Sequence, residues 1–112
     1  MKQCFHLGDF LPQELLSNIK SHFEEVYPKE GCGVLTLEGE YLPILNTSDE
    51  GFTMDKKEFM SLVLNGVNIV AVVHSHPDEK NPIASKHDKL ASRFLNIPYI
   101  IMGIPSGRII EC

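Results

Sequence analysis

Cysteine is scarce in this chain. The three residues, Cys4, Cys32 and Cys112, are odd in number, and no two of them have C-x-x-C spacing. Neither a disulfide framework nor a cysteine-based zinc site is indicated, and a reducing compartment is the simplest setting. Long hydrophobic runs are missing too. The longest stretch near the middle, Ile69–Val73, is far too short to span a bilayer. The opening MKQCFHLGDF carries no long apolar run behind Lys2, so no secretory signal is expected. Positive charge is in deficit. Ten Lys and Arg stand against 15 Asp and Glu, a net charge of −5, which speaks against a general binder of nucleic acid or of anionic membranes. There are no repeats and no low-complexity tracts.

What remains is an ordinary globular composition. Of 112 residues, 43% are hydrophobic and 22% charged, which fits one soluble domain over residues 1–112. A chain of this size buries roughly two thirds of its unfolded surface and needs no disulfide or metal to hold a core. Any metal site is therefore expected to serve chemistry rather than folding.

Local patterning gives alternating helices and strands. Leu15, Leu16, Ile19, Phe23 and Val26 recur at helical spacing from Pro12 to Val26, and Pro28 stops that helix. Gly33–Gly39 and Tyr41–Asn46 read as a β-hairpin, with Pro43 placing the second strand at an edge or a bulge. After a polar loop to Gly51, Phe52–Met54 forms a brief strand. Asp55 and Glu58 then open a second helix whose apolar face is Phe59, Leu62 and Val63, with Gly66 ending it. Val67–His74 is a β-branched run with little alternation, as expected of a central strand covered on both faces. Ser75–Ala84 reads as a loop, and Ser85 caps a third helix with Leu90, Ala91, Phe94 and Leu95 facing inward. Pro98–Ile104 is another buried strand, and a turn at 105–107 returns Arg108–Ile110 as the last one. Interleaved helices and strands give an α/β or α+β class with one mixed sheet.

The chemistry concentrates at His74-Ser75-His76-Pro77, the end of the most hydrophobic strand. Alternate strand residues face the same side, so His74 and His76 can point at one ion while Ser75 faces away. An isolated His-x-His is equally a pair of hydrogen-bonding residues at a loop edge. A third ligand could come from Asp88, one turn into the next helix. Ser85 as N-cap and Asp88 at a positive helix start would occur without any metal as well. His87 competes, but its neighbour position turns it about 100° away around the helix, which marks it as a surface residue. Glu30, in the turn before the first strand, is by itself a solvated acid. Taken jointly, two His, one Asp and a nearby Glu form a hydrolytic zinc site. Three protein ligands leave a fourth position for water, whose pKa the metal lowers to roughly 7. A carboxylate outside the coordination shell can carry the proton, and a hydroxyl such as that of Ser85 can donate to the oxyanion.

The order Glu30, then His-x-His-Pro, then Ser85-x-x-Asp88 resembles the JAMM (MPN+) metalloproteases. The likeness extends through Pro28–Val34, through Phe52–Asp55 with the helix after it, through Ile-Val-Ala-Val-Val-His-Ser-His-Pro, and into Pro98-Tyr-Ile-Ile, covering about Pro12 to Ile110. The resemblance implies a curved mixed sheet flanked by helices, related in shape to the cytidine deaminases. It implies Zn2+ held by His74, His76 and Asp88, with Glu30 as general acid/base and Ser85 assisting the oxyanion. One departure is visible: eight residues, Pro77 to Ala84, separate His76 from Ser85, where the family usually has seven. A loop absorbs one added residue easily. The family includes deubiquitinases, enzymes acting on ubiquitin-like or sulfur-carrier proteins, and domains of phage tail-assembly proteins. The absence of long insertions, and the text around His-Ser-His-Pro, look most like the compact bacterial and phage-tail branch. In that branch the domain is often followed by an NlpC-type cysteine peptidase, and this sequence contains none.

The expected function is hydrolysis of a peptide or isopeptide bond by a zinc metallopeptidase. The expected partners are a protein or peptide substrate, a ubiquitin-like protein or a phage tail component, with no nucleic acid and no membrane. The expected location is the cytoplasm, or a phage tail. The alternative is a scaffold or tail-assembly module of the same fold, with catalysis incidental or lost. Deaminase chemistry is disfavoured because His-x-Glu and Pro-Cys-x-x-Cys are missing, and the His-Glu-x-x-His zinc pattern is missing too.

Overall fold

Strand β3 (Ile69–Pro77) is the axis of the structure, a computed structural model that describes residues 11–112. Cys4 and the rest of the opening segment lie outside the described residues. Around β3 the order of elements is α1 (Gln13–Val26), β1 (Cys32–Thr36), β2 (Tyr41–Ile44), α2 (Lys56–Leu64), β3, α3 (Lys86–Leu95), β4 (Tyr99–Ile104) and β5 (Ile109–Glu111). The strands form one mixed sheet in the order β2-β1-β3-β4-β5. Among the described strands only β3 and β4 run parallel, joined across α3, and such a pair needs a crossover of this length. Pro43 lies in an edge strand, where its missing N–H costs no ladder bond.

The sheet has two distinct faces. On one, Leu15, Ile19 and Phe23 of α1 pack on Leu35, Ala71, Val73, Ile100 and Met102. On the other, α2 lays Phe59 and Leu62 over Cys32, Val34 and Ile44. The period-2 alternation of a strand sorts β3 between them. Ala71, Val73 and Ser75 look toward α1, leaving Val72, His74 and His76 on the opposite face. Asp55 caps α2 by accepting from the Glu58 N–H at 3.0 Å. The Glu58 carboxylate does not return the bond. It accepts from the Leu45 N–H at 2.9 Å and ties the hairpin to the helix.

Several sequence expectations are corrected. The strand carrying the histidines continues through Pro77 instead of stopping at His74, because β4 supplies partners for Ser75, His76 and Pro77. The brief strand at Phe52–Met54 is a single bridge between Asn46 and Met54. Val63 is exposed, as are Leu90, Phe94 and Leu95, the last three expected to face inward. Phe94 is 89% accessible. Among the described residues, the one α3 buries fully is Asp88. A polar first turn and the Ser92 hydroxyl, which donates to the carbonyls of Ile97 and Cys112, hold this helix in place. Its apolar pattern marks a face that nothing in the described chain covers. No helix among the described residues is long and apolar enough to cross a membrane.

Candidate metal centre

The site is assembled where β3 emerges from the sheet, beside the turn before β1 and the start of α3. Glu30 reaches it because its turn is clamped to β3. The Ser75 hydroxyl accepts from the Gly31 N–H at 2.8 Å, and the Ser75 N–H donates to the Gly31 carbonyl at 3.0 Å. The serine that faces away from the histidines thus fixes the backbone next to Glu30. Asn46 secures the same turn from the other side. Its amide donates to the Glu30 carbonyl at 2.8 Å, and its Oδ1 accepts from the N–H groups of Ser48 and Thr53 at 2.9 and 3.0 Å. The loop held in this way carries Phe52, whose ring stacks on His74 with centroids 4.3 Å apart. Tyr99 meets His74 edge-on at 6.0 Å.

Asp88 is placed by the helix start. Ser85 and Asp88 form a reciprocal capping box. The Ser85 hydroxyl accepts from the Asp88 N–H at 3.0 Å, and the Ser85 N–H donates to Asp88 Oδ2 at 2.9 Å. The carboxylate then spans both histidines. Oδ1 lies 2.8 Å from His74 Nε2, and Oδ2 lies 3.4 Å from His76 Nε2. On the far side of His74, Nδ1 lies 3.2 Å from Glu30 Oε1. Glu30, His74 and His76 each offer a ligand atom, all within 4.8 Å of one another. Asp88 stands outside that three-membered group, although its carboxylate touches both imidazoles.

Burial and charge act against each other here. His74 is buried, which opposes its protonation, yet the carboxylates of Asp88 and Glu30 outweigh burial and raise its pKa above the ordinary value. Burial likewise opposes the charge on Asp88, but His74 and the Ser85 bonds prevail and hold the carboxyl well below its usual range. His74 Nε2 is nevertheless a buried nitrogen without a hydrogen-bond partner. Asp88 Oδ1 is close enough for an ion pair but does not complete an aligned hydrogen bond. A buried imidazole nitrogen left unbonded beside a carboxylate and a second imidazole fits a site built to hold a cation.

The five residues singled out from the sequence meet in this one region. Glu30, His74, His76 and Asp88 touch directly. Ser85 lines the same open cleft of about 630 Å³, as do Phe52, Glu79 and the exposed His87. The Ser85 hydroxyl is engaged in capping. Cys32, next along from the Glu30 turn, belongs to the core. Its thiol donates to the Ile44 carbonyl at 3.4 Å. Burial first, then the Glu58 and Glu30 carboxylates, push its pKa up to about 12, so it stays a protonated packing group. Sequence reasoning missed Asn46, Phe52 and Glu79 as neighbours of the site. Glu79 carried the only sequence signal, its place three residues after His76.

Comparison with known proteins agrees with this architecture. The family described as prokaryotic homologs of the JAB domain matches residues 12–109. Tail tip assembly protein K of Escherichia phage N15 is 31% identical over 101 residues, covering 85% of this chain and 41% of the relative. The chain thus spans about two fifths of that curated relative's length. The solution structure of a protein from Desulfitobacterium hafniense superposes with a TM-score of 0.65 at 21% identity, covering 88% of this chain and 77% of the other. A solution structure from Salinibacter ruber gives 0.56 at 24% identity, covering 89% and 78%. At these identities the two structures speak for the fold.

Proposed function

Because the chain belongs to the prokaryotic JAB-domain family, we propose that it is a zinc metallopeptidase hydrolysing a peptide or isopeptide bond. The observation that carries this reading is the Asp88 carboxylate spanning the Nε2 atoms of His74 and His76, beside Glu30 and a buried nitrogen with no hydrogen-bond partner. In this reading His74, His76 and Asp88 hold the ion and Glu30 stays outside its coordination shell. Zinc held there supplies Lewis-acid polarisation of the scissile carbonyl and acidification of water. Glu30 takes the proton of the attacking water and returns it to the leaving amine. Ser85, at the cleft wall, donates its hydroxyl hydrogen to the developing oxyanion, and the Asp88 N–H bond it accepts leaves that hydrogen free to do so.

The reading separates Glu30 from the ligands, and that separation is testable. Glu30→Gln keeps the size and loses the proton acceptor. It is expected to retain zinc by elemental analysis while turnover falls on the order of 10²–10⁴. The His74→Ala, His76→Ala double variant is expected to lose most zinc and remain folded. Cleavage is followed by mass spectrometry on a mixture of unstructured peptides and on a ubiquitin-like fusion. Full zinc content in the histidine double variant, or undiminished turnover in Glu30→Gln, would overturn the assignment. Loss of zinc from Glu30→Gln would make Glu30 a ligand instead.

The likeness to a tail tip assembly protein favours a second reading, a tail-assembly module whose association does not depend on hydrolysis. It predicts that the protein copurifies with tail-tip components and that Glu30→Gln leaves this association intact.

A further inference from the structure

We infer that Glu79 is the positioning residue of His76, setting which ring nitrogen faces the cleft; the inference rests on the metal-site reading above. His76 has two carboxylate neighbours. Its Nε2 lies 3.4 Å from Asp88 Oδ2, and its Nδ1 lies 3.1 Å from Glu79 Oε1. A carboxylate accepts hydrogen bonds and donates none. Of the two contacts, that of Nδ1 with Glu79 is a hydrogen bond, whereas Asp88, 3.4 Å from Nε2, completes none, so the imidazole proton belongs on Nδ1 and Nε2 is left open to the cleft. That is the tautomer a metal-ligating histidine needs, and a carboxylate on the remote nitrogen is the usual means of fixing it. The pattern repeats at His74, where Glu30 meets Nδ1 and Asp88 meets Nε2. Glu79 does for His76 what Glu30 does for His74, without Glu30's place beside the reacting water.

The carboxylate is half exposed, so its position depends on the loop that carries it. That loop is anchored at both ends. The Asp78 N–H donates to the Ile104 carbonyl at 2.7 Å, and Tyr27 donates its hydroxyl to Asp78 at 2.5 Å. Farther along, the Ser106 hydroxyl donates to the Lys80 carbonyl at 2.7 Å, and Arg108 bonds Asn81. Between these ties the Glu79 backbone crosses β4 directly over Gly103, where any Cβ would collide with the Glu79 carbonyl oxygen. The Ile83 N–H also donates to Glu79 Oε1 at 3.4 Å, so the oxygen facing His76 is held from the loop's second half.

The test compares Glu79→Ala with Glu79→Gln, whose amide oxygen can still accept from Nδ1–H. Zinc affinity is measured by chelator competition, the His76 tautomer by long-range ¹H–¹⁵N NMR of the chelator-treated protein, and the melting temperature in the same metal-free state. Wild-type His76 is expected to carry its proton on Nδ1. Glu79→Ala should lose that preference and bind zinc about 10–100-fold more weakly, at an unchanged melting temperature. Glu79→Gln should recover both. A proton on Nε2 in the wild type, or an unaltered tautomer and affinity in Glu79→Ala, would overturn the assignment, as would Glu79→Gln failing to rescue. If the wild type takes up no zinc, the peptidase reading fails, and the tautomer in the metal-free protein still decides the role of Glu79.

Discussion

Imidazole protonation distinguishes His22 from His74. Both are at least half buried in protein surroundings, but their neighbours differ. His74 lies between two carboxylates that raise its pKa. His22 has the Tyr41 hydroxyl at 2.7 Å, and burial lowers its pKa while Glu25 pulls weakly the other way. A histidine whose folded pKa is depressed contributes stability above its unfolded value of 6.5, and that contribution is lost as pH falls below it. The stability gap between wild type and His22→Gln, from urea melts, is therefore expected to narrow between about pH 7.5 and about pH 5.5. A gap that stays constant would mean His22 titrates alike in both states. Single residues also set the limit of what the sequence reveals. His74, His76, Asp88, Glu30 and Ser85 stand out because their types and order suit one chemistry. Asn46 acts on the Glu30 carbonyl, which only the folded chain brings near it, and Glu79 stands three residues after His76, a spacing that does not by itself tell a ring-nitrogen partner from a solvated acid.

Helix α3 shows where periodic patterning misleads. Leu90, Ala91, Phe94 and Leu95 recur at the right interval for a buried face, but periodicity says only that one side is apolar. It does not say that the same chain covers it. The helix start was legible because Ser-x-x-Asp has a local cause in the unpaired first-turn amides. That cause gives Ser85 a role in stability apart from any in turnover. Ser85→Ala is expected to cost about 1 kcal/mol in metal-free protein, measured by urea denaturation. No loss there would mean that the capping box carries none of α3's stability. The end of β3 was misread for the opposite reason: polar residues and Pro77 read as a loop, whereas the ladder to β4 extends the strand past both histidines.

Over the whole molecule, the order of elements and the mixed sheet were legible because buried β-branched runs and helical periods alternate along the chain. Less legible was how unevenly the elements are held. Helix α1 buries Leu15, Ile19 and Phe23 in the main core, whereas α3 buries Asp88 alone. Packing of this kind makes local opening cheap where few apolar contacts must break. Amide exchange is therefore expected to be fast in α3 and slow in β3 and β4 of the metal-free protein. An ion that binds only the closed form raises the opening cost by mass action, about 2.7 kcal/mol when free zinc is 100-fold above its dissociation constant. Under those conditions α3 amides should exchange on the order of 100-fold more slowly, while His76→Ala shows no such change. Equal protection with and without zinc would show that α3 opens without breaking the site. With an ion in the cleft, the buried Asp88 would turn occupancy into a change in how long one helix stays shut, and the surface carrying Leu90, Phe94 and Leu95 would be presented for longer between openings.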